Sequence, residues 1–469
     1  MILTTFAIMT NWMPNPANLT RPAYLSLAEQ FARAIESGEL PIGTRLMPHR
    51  KLADLLGLSV QTVSRAYDEL IRRGLIAGEV GRGSFVLGPG AEARQPYLPE
   101  RPGEIVDLSI LKPVVEAVHL DRMRQGFAWL AENLAAPSAL SFRPNMVMPY
   151  HREVAANWLI RQGVPAEEQG IALTNGATPA ITAAVMSVAP PGSGIAAEML
   201  THHTLMPLCS YLGLHLEGVA MDASGMLPAA LHEAARKGMI RAVYLQPNVI
   251  NPLAMIMPTD RRSELVEVCR RHDLSIIEND ILNVMIPDRA PPFAALAPER
   301  TLHICGFTKI TVPGMRMAYL HAPPRHATAM ANRHLVANWM ATPPMADLLS
   351  HWVSDGTVTD LAAWQARAMA ERHDVATDVL GAAMPHCHRN SLHLWLPLPD
   401  GWTEESFAAQ ARLRGVAVAS GSAFRASDRW RQESIRIALG STRTEELRHG
   451  LAAVAAMLLN APEPLLPNI

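Results

Sequence analysis

Apolar residues recur at helical spacing near the amino terminus. Leu27, Phe31, Ala34 and Ile35 share one face of a helix predicted over Leu25 to Ser37, which Gly38 ends. Pro48 opens a second, short helix that runs to about Leu56. Gly57-Leu58 then makes a tight turn, and Ser59 is a good cap for a third helix over Val60 to Leu70. There Val63, Ala66, Tyr67 and Leu70 face inward, which leaves Gln61, Thr62, Ser64 and Arg65 at an exposed start. Two short strands follow, Leu75-Ile76-Ala77 and Ser84-Phe85-Val86, joined by Gly78-Glu79-Val80-Gly81-Arg82-Gly83 as a wing. Residues 88–107 carry Pro89, Pro96, Pro99 and Pro102 with Gly88, Gly90 and Gly103, a composition that reads as a linker. From Leu108 onward, apolar strands alternate with amphipathic helices, the pattern of an α/β body. The expected domains are therefore 20–87, a linker at 88–107, and 108–469.

The head has the parts needed to read DNA. A helix about 10–12 Å across fits the major groove, and its amino-terminal side chains reach base edges first. Gln61, Thr62 and Ser64 are hydrogen-bonding types for bases or phosphates. Arg50, Lys51 and Arg65 supply cations for phosphate or guanine, and Arg82 between glycines suits a minor groove or backbone contact. Periodicity alone would fit any helical hairpin with solvated faces. The whole string is more specific: Gly43-Thr44-Arg45-Leu46, Arg50-Lys51-Leu52-Ala53, Leu56-Gly57-Leu58-Ser59, Thr62-Val63-Ser64-Arg65-Ala66-Tyr67, Gly74-Leu75 and Gly81-Arg82-Gly83-Ser84-Phe85-Val86. Over about 65 residues it resembles the winged helix-turn-helix of the GntR family.

Composition sets outer limits. The 469 residues are too many for one ordinary domain, and 49% hydrophobic against 18% charged residues allows a large core. The net charge of −2 excludes a broadly basic nucleic-acid coat but not a small basic reading surface. Cys209, Cys269, Cys305 and Cys387 are far apart with no CxxC pair, as expected of reduced thiols in a cytoplasmic protein. No apolar run approaches the ~18 residues of a membrane span, so no membrane partner is expected. Residues 1–9 carry no Lys or Arg, unlike a signal peptide, and Met9 is an alternative start.

In the body, polar residues gather where strands end. Ile171-Ala172-Leu173 leads through Thr174-Asn175-Gly176-Ala177-Thr178 into a helix, a turn able to cradle phosphate with backbone N–H groups. The strand Ala242 to Leu245 is followed by Asn251-Pro252. Leu274 to Ile277 ends in Glu278-Asn279-Asp280, and Leu302 to Cys305 ends in Gly306-Phe307-Thr308-Lys309. Open α/β sheets bind ligands at such ends. An Asp and a Lys converging there suit pyridoxal 5'-phosphate (PLP), with the Lys as Schiff base and the Asp keeping the pyridine nitrogen protonated. Lys309 alone could equally be a solvated loop lysine.

From Leu108 to the carboxyl terminus the chain resembles the fold-type I aminotransferases, and its pairing with a GntR head resembles the MocR-type regulators. The resemblance implies a mixed central sheet with helices on both faces and a small carboxyl-terminal α+β subdomain, the strand His393-Leu394-Trp395-Leu396 among its parts. It implies that Lys309 is the Schiff-base lysine, that Asp280 pairs with the pyridine nitrogen, and that Asn251 bonds the ring hydroxyl. Arg316 with Gly176, Ala177 and Thr178 would hold the phosphate, and Arg436 would receive an amino-acid carboxylate. It also implies a homodimer. Three positions depart from the family pattern: Leu282 replaces a Tyr, Gly306 replaces a Ser, and His202 stands where an aromatic often stacks on the cofactor. A planar imidazole can still stack, but Leu282 and Gly306 remove contacts to the ring and the phosphate. The body is thus expected to hold PLP and to turn over poorly.

The leading expectation is a DNA-binding transcription regulator that senses an amino acid or amine through PLP. The alternatives are an active PLP-dependent aminotransferase with an accessory head, and a regulator whose body has lost PLP. Adjacent histidines at His386-Cys387-His388 and His202-His203 complete no metal ligand set by spacing, and Met255 and Met257 are read as core filling.

Overall fold

The structure is a computed structural model in which residues 12–41, 43–72, 75–79, 83–86, 105–140 and 148–460 are described. Met9, Arg82 and residues 88–104 lie outside that set. The chain divides into two compact units, residues 1–100 and 101–469.

The first unit has helices α1 (Ala23–Glu36), α2 (His49–Leu56) and α3 (Val60–Arg72), then strands β1 (Ile76–Glu79) and β2 (Gly83–Val86). Of the residues expected to face inward, Leu27, Phe31, Ala34, Val63, Ala66, Tyr67 and Leu70 are buried and Ile35 is partly buried; Leu52, Ile76 and Val86 complete the core. Each such side chain contributes about 1.5–3 kcal/mol on leaving water. Gly57 closes α2 in a left-handed conformation, φ 65°, which a side chain would resist. Ser59 caps α3 as expected, its hydroxyl accepting the Thr62 N–H at 3.1 Å. Tyr67 ties α3 to the segment before α2 by donating its hydroxyl to the Met47 carbonyl at 2.9 Å. The wing strands pair antiparallel from Ile76 opposite Val86 to Glu79 opposite Gly83, so β1 runs two residues past its predicted end.

The second unit is built on a seven-stranded sheet of β4 (Ile171–Thr174), β5 (Gly194–Glu198), β6 (His215–Val219), β7 (Ile240–Leu245), β8 (Ser275–Asn279), β9 (Thr301–Gly306) and β10 (Ala318–His321). Their spatial order is β4-β10-β9-β8-β7-β5-β6. Only β10 runs against its neighbours, so the other six strands end on one edge of the sheet. Both faces are covered. Ile277, Leu302, Ile304 and Tyr244 pack against the alanine-rich helix α4 (Ala177–Val188), whose small residues allow close approach. Val243, Leu245 and Ile276 pack against Leu265, Val266 and Cys269 of α5 (Thr259–Arg271). A smaller sheet places β11 (His393–Pro397) beside β13 (Ser434–Ala438), and β12 (Ala419–Ser420) on the other side of β13.

One boundary moves. Val106 and Asp107, expected at the end of the linker, pair in parallel with Val416 and Ala417. The Val106 N–H donates to Gly415 O, and the Leu108 N–H to Ala417 O, both at 2.8 Å. Apolar Val106 packs on the body core, which proline content in the preceding residues does not prevent.

Candidate functional site

The loop after β4 and the start of α4 form an anion cradle. Gly176 has φ +100°, and a Cβ there would stand 3.0 Å from Nη2 of Arg316, so only glycine lets the guanidinium lie against the turn. Arg316 is itself left-handed, φ 50°. No side chain caps α4, so the first-turn N–H groups of Ala177 and Thr178 are open to a ligand. Thr174 braces the turn by donating its hydroxyl to Gly176 O at 2.9 Å. Next to Lys309, the Thr308 hydroxyl is buried without a partner, a feature sequence reasoning passed over. The missing side chain at Gly306 has a local cause: a Cβ would lie 2.9 Å from Cγ2 of Ile281.

Asp280 follows β8 and is 1% exposed. Its Oδ1 accepts from Asn248 Nδ2 at 2.9 Å, while Oδ2 has no partner. Asn248 is aimed by Arg262, a fully buried arginine on α5 whose Nη2 donates to Asn248 Oδ1 at 2.8 Å. Arg262 also donates to the carbonyls of Met257, Pro247, Ala290 and Pro291. Burial and the nearby Glu278 raise the Asp280 carboxyl above the ordinary range. Glu278 is held as an anion by His303 at 2.9 Å and by the Phe293 and Ala294 N–H groups. Glu278, Asp280 and His303 have metal-ligand types within 4.8 Å of one another. Both Glu278 oxygens already accept hydrogen bonds, so the group acts as a network beneath Asp280 rather than an open cage.

Lys309 and Arg436 meet the residues after β3 (Val106–Asp107). The Lys309 amine donates to the Leu111 carbonyl. Burial, then Arg436, Arg316 and Lys112, lower its pKa to about 8. Arg436, on β13, is 4% exposed. Its Nη2 donates to Ser109 O at 2.6 Å and its Nη1 to Asn251 Oδ1 at 3.3 Å. Nε has no partner, and the guanidinium stacks 4.7 Å above the Phe424 ring. Asn251, expected at a ring hydroxyl, is thus held by Arg436. His202 stacks on His203 at 4.7 Å and 27°. Burial and the neighbouring cations push His202 down to about 3 and His203 to about 4, so both rings are neutral at pH 7. His202 Nδ1 stands 2.7 Å from the Thr204 hydroxyl and 3.4 Å from the Thr204 N–H, which fixes the ring's orientation. Leu282 is buried in the same apolar cluster as Met285 and Ile286.

These residues fit pyridoxal phosphate. A phosphate matches the Gly176, Ala177 and Arg316 cradle, a protonated pyridine nitrogen matches the orphaned Asp280 Oδ2, and Lys309 offers an amine close enough to sense Arg316 and Arg436.

In the head, Arg50, Lys51, Gln61 and Arg65 are exposed, with Thr62 and Ser64 half-buried beside them. The Thr62 hydroxyl is turned back on Ser59, 2.8 Å between oxygens. Arg65 lies 4.1 Å over the Tyr24 ring.

Residues 121–454 match the family model described as aminotransferase class I and II. The chain belongs to the aminotransferase class I and II family. Residues 23–86 match bacterial regulatory proteins of the gntR family, so an aminotransferase-class body follows a GntR head, a combination consistent with the MocR type. The HTH-type transcriptional regulator YdeF of Bacillus subtilis is 23% identical over 96% of this chain and 97% of its own. TauR of Rhodobacter capsulatus, an HTH-type transcriptional regulator, is 25% identical over 92% and 96%. PdxR of Corynebacterium glutamicum, a pyridoxine biosynthesis transcriptional regulator, is 26% identical over 76% and 78%. Among solved structures, the kynurenine aminotransferase of Pyrococcus horikoshii, with PMP, superposes with TM-score 0.70 at 20% identity over 76% of this chain and 91% of that one. LysN of Thermus thermophilus, an α-aminoadipate aminotransferase holding a phosphopyridoxyl-leucine, gives 0.68 at 19% identity over 76% and 92%. The fold of the body is that of PLP-dependent aminotransferases. No described helix is long and apolar enough to cross a membrane.

Proposed function

We propose that this chain is a cytoplasmic, homodimeric transcription regulator that binds operator DNA through its head and senses an amino acid or amine at a PLP-loaded body. The observation that carries the reading is one chain holding both a solvent-facing recognition helix and a constellation of buried Asp280 and Arg436, half-buried Lys309 and exposed Arg316. Its relatives named as HTH-type transcriptional regulators support it over nearly their whole length.

Each residue then has a task. Gly176, Ala177, Thr178 and Arg316 bind the phosphate, and Asp280 holds a proton on the ring nitrogen, with Asn248 and Arg262 fixing its direction. When bound, the cofactor supplies a carbonyl that a primary amine can condense with and a ring that withdraws electrons. Lys309, with its pKa lowered to about 8, gives up its proton far more readily than an ordinary lysine and so offers a nucleophilic amine. Arg436 Nε is the open donor for a carboxylate. His202, neutral and flat, covers an aromatic ring. In the head, Arg50, Lys51, Gln61, Thr62, Ser64, Arg65 and Arg82 form the DNA-facing set. Effector control requires that the ligand bind two conformations of the body with different affinity.

The test is a visible absorbance spectrum of the purified protein during titration with amino acids and amines, run beside a DNA gel shift at fixed salt. A PLP band that Lys309→Ala abolishes, and a DNA affinity that changes with the ligand that moves the band, are expected. Multiple turnovers with amino donors and 2-oxoglutarate would favour the aminotransferase reading instead.

A further inference from the structure

On the α3 face that meets DNA, polarity is not uniform. Val60, the first residue of α3, is 44% exposed. Isolated exposed apolar side chains are common and need no function. Here the neighbours narrow the choice. The Thr62 hydroxyl is engaged by Ser59, and Arg65 is laid over Tyr24. The groups left at the start of α3 are Val60, Gln61 and Ser64, with Val60 and Ser64 one turn apart. Side chains at a helix start lean toward its amino-terminal end, the end that enters the groove. Exposed Arg50 and Lys51 at the start of α2 supply phosphate-complementary charge.

An apolar side chain at that place meets a floor of hydrogen-bonding edges with one exception. The C5 methyl of thymine is the apolar group of the major groove, and adenine offers the paired donor and acceptor that a glutamine amide matches. We propose that Val60 reads a thymine methyl and that Gln61 reads an adjacent adenine, so that each half-site contains neighbouring T and A. The proposal rests on α3 being the recognition helix, and it assigns specificity to a residue that hydrogen-bond reasoning overlooks.

The experiment starts from DNA sites selected by the full-length protein from a random duplex pool. Every thymine of the selected site is then replaced singly by uracil, which lacks only the methyl. Replacement at one thymine in each half-site is expected to weaken binding three- to fivefold, the worth of one buried methyl-sized group at about 0.8 kcal/mol. Val60→Ser, with an unchanged melting profile because the site is exposed, is expected to bind thymine and uracil sites equally. Gln61→Ala is expected to lose discrimination at the adjacent adenine while keeping the uracil effect. No uracil-sensitive thymine, or a sensitivity that persists in Val60→Ser, overturns the proposal. A pool that yields no enriched site refutes the DNA-binding reading beneath it.

Discussion

Replacing Lys309 by Met should make the cofactor-free body more stable at neutral pH, by an amount that shrinks as pH rises. The lysine amine is charged in a site that already contains Arg436 and Arg316, and its pKa falls from an ordinary 10.5 to about 8. At about 1.4 kcal/mol for each tenfold change in proton affinity, that drop corresponds to about 3 kcal/mol. Partial solvent access trims this to about 2 kcal/mol. Methionine also removes the donor to the Leu111 carbonyl, which costs about 1 kcal/mol, so the net gain is about 1 kcal/mol. The sign follows from proton binding. A base with a depressed folded pKa costs the fold its full penalty below about pH 8, where it is charged in both states. The penalty fades between about 8 and 10.5 and is absent above 10.5, because the unfolded chain there binds no more protons than the folded one. Urea unfolding of cofactor-free wild type and Lys309→Met at pH 7, 8.5 and 10.5 measures this. The wild type should gain about 2 kcal/mol relative to the variant across that range. A difference that does not change with pH would show that Lys309 is not a buried charge and would refute the reasoning.

Gly176→Ala should cost about 1–3 kcal/mol in backbone strain and displace Arg316, so PLP titration followed by absorbance should show weaker retention. His303→Ala strips the buried Glu278 of its cationic partner and should destabilise by about 3–5 kcal/mol in denaturant unfolding. Glu278 has a lowered pKa, so its share of stability is present above about pH 4.5 and is lost as pH falls through the folded value. Arg65→Ala should weaken operator binding by a similar amount at all sequences and lower the salt slope by about 1 in a gel shift, while the loss of its stacking on Tyr24 lowers stability by no more than about 1 kcal/mol.

The head was legible because its information is local. Each helix start, turn and apolar stripe lies within a few residues of its cause, as with Ser59 capping α3 and Gly57 ending α2. In the body, Lys309, Asp280 and Gly176 could be found because each ends a strand, and ligands collect at strand ends. What escaped were partners that only topology brings together. Asn248 and Arg262 are 14 residues apart, yet they aim a carboxylate on another strand. Phe424 under Arg436 carries no sequence signal of its own. Leu282 read as a lost polar contact, but the structure adds that its side chain belongs to the core. His386-Cys387-His388 forms no regular element, and only the fold brings Cys387 to 3.7 Å from His373 Nδ1.

The short pairing of Val106–Asp107 with Val416–Ala417 lies between two demands. On one side, Ser109 and Leu111 lend their carbonyls to Arg436 and Lys309. On the other, the chain leaves toward the head. In the proposed regulator, a ligand bound by Arg436 and Lys309 would free those carbonyls, while the Val106 and Leu108 N–H bonds to Gly415 and Ala417 hold the strand in place. Two such bonds are worth about 1–3 kcal/mol together, which is the usual size of a coupling free energy between two sites. In the regulator proposed above, breaking this pairing would take no more than the differential affinity of one small ligand.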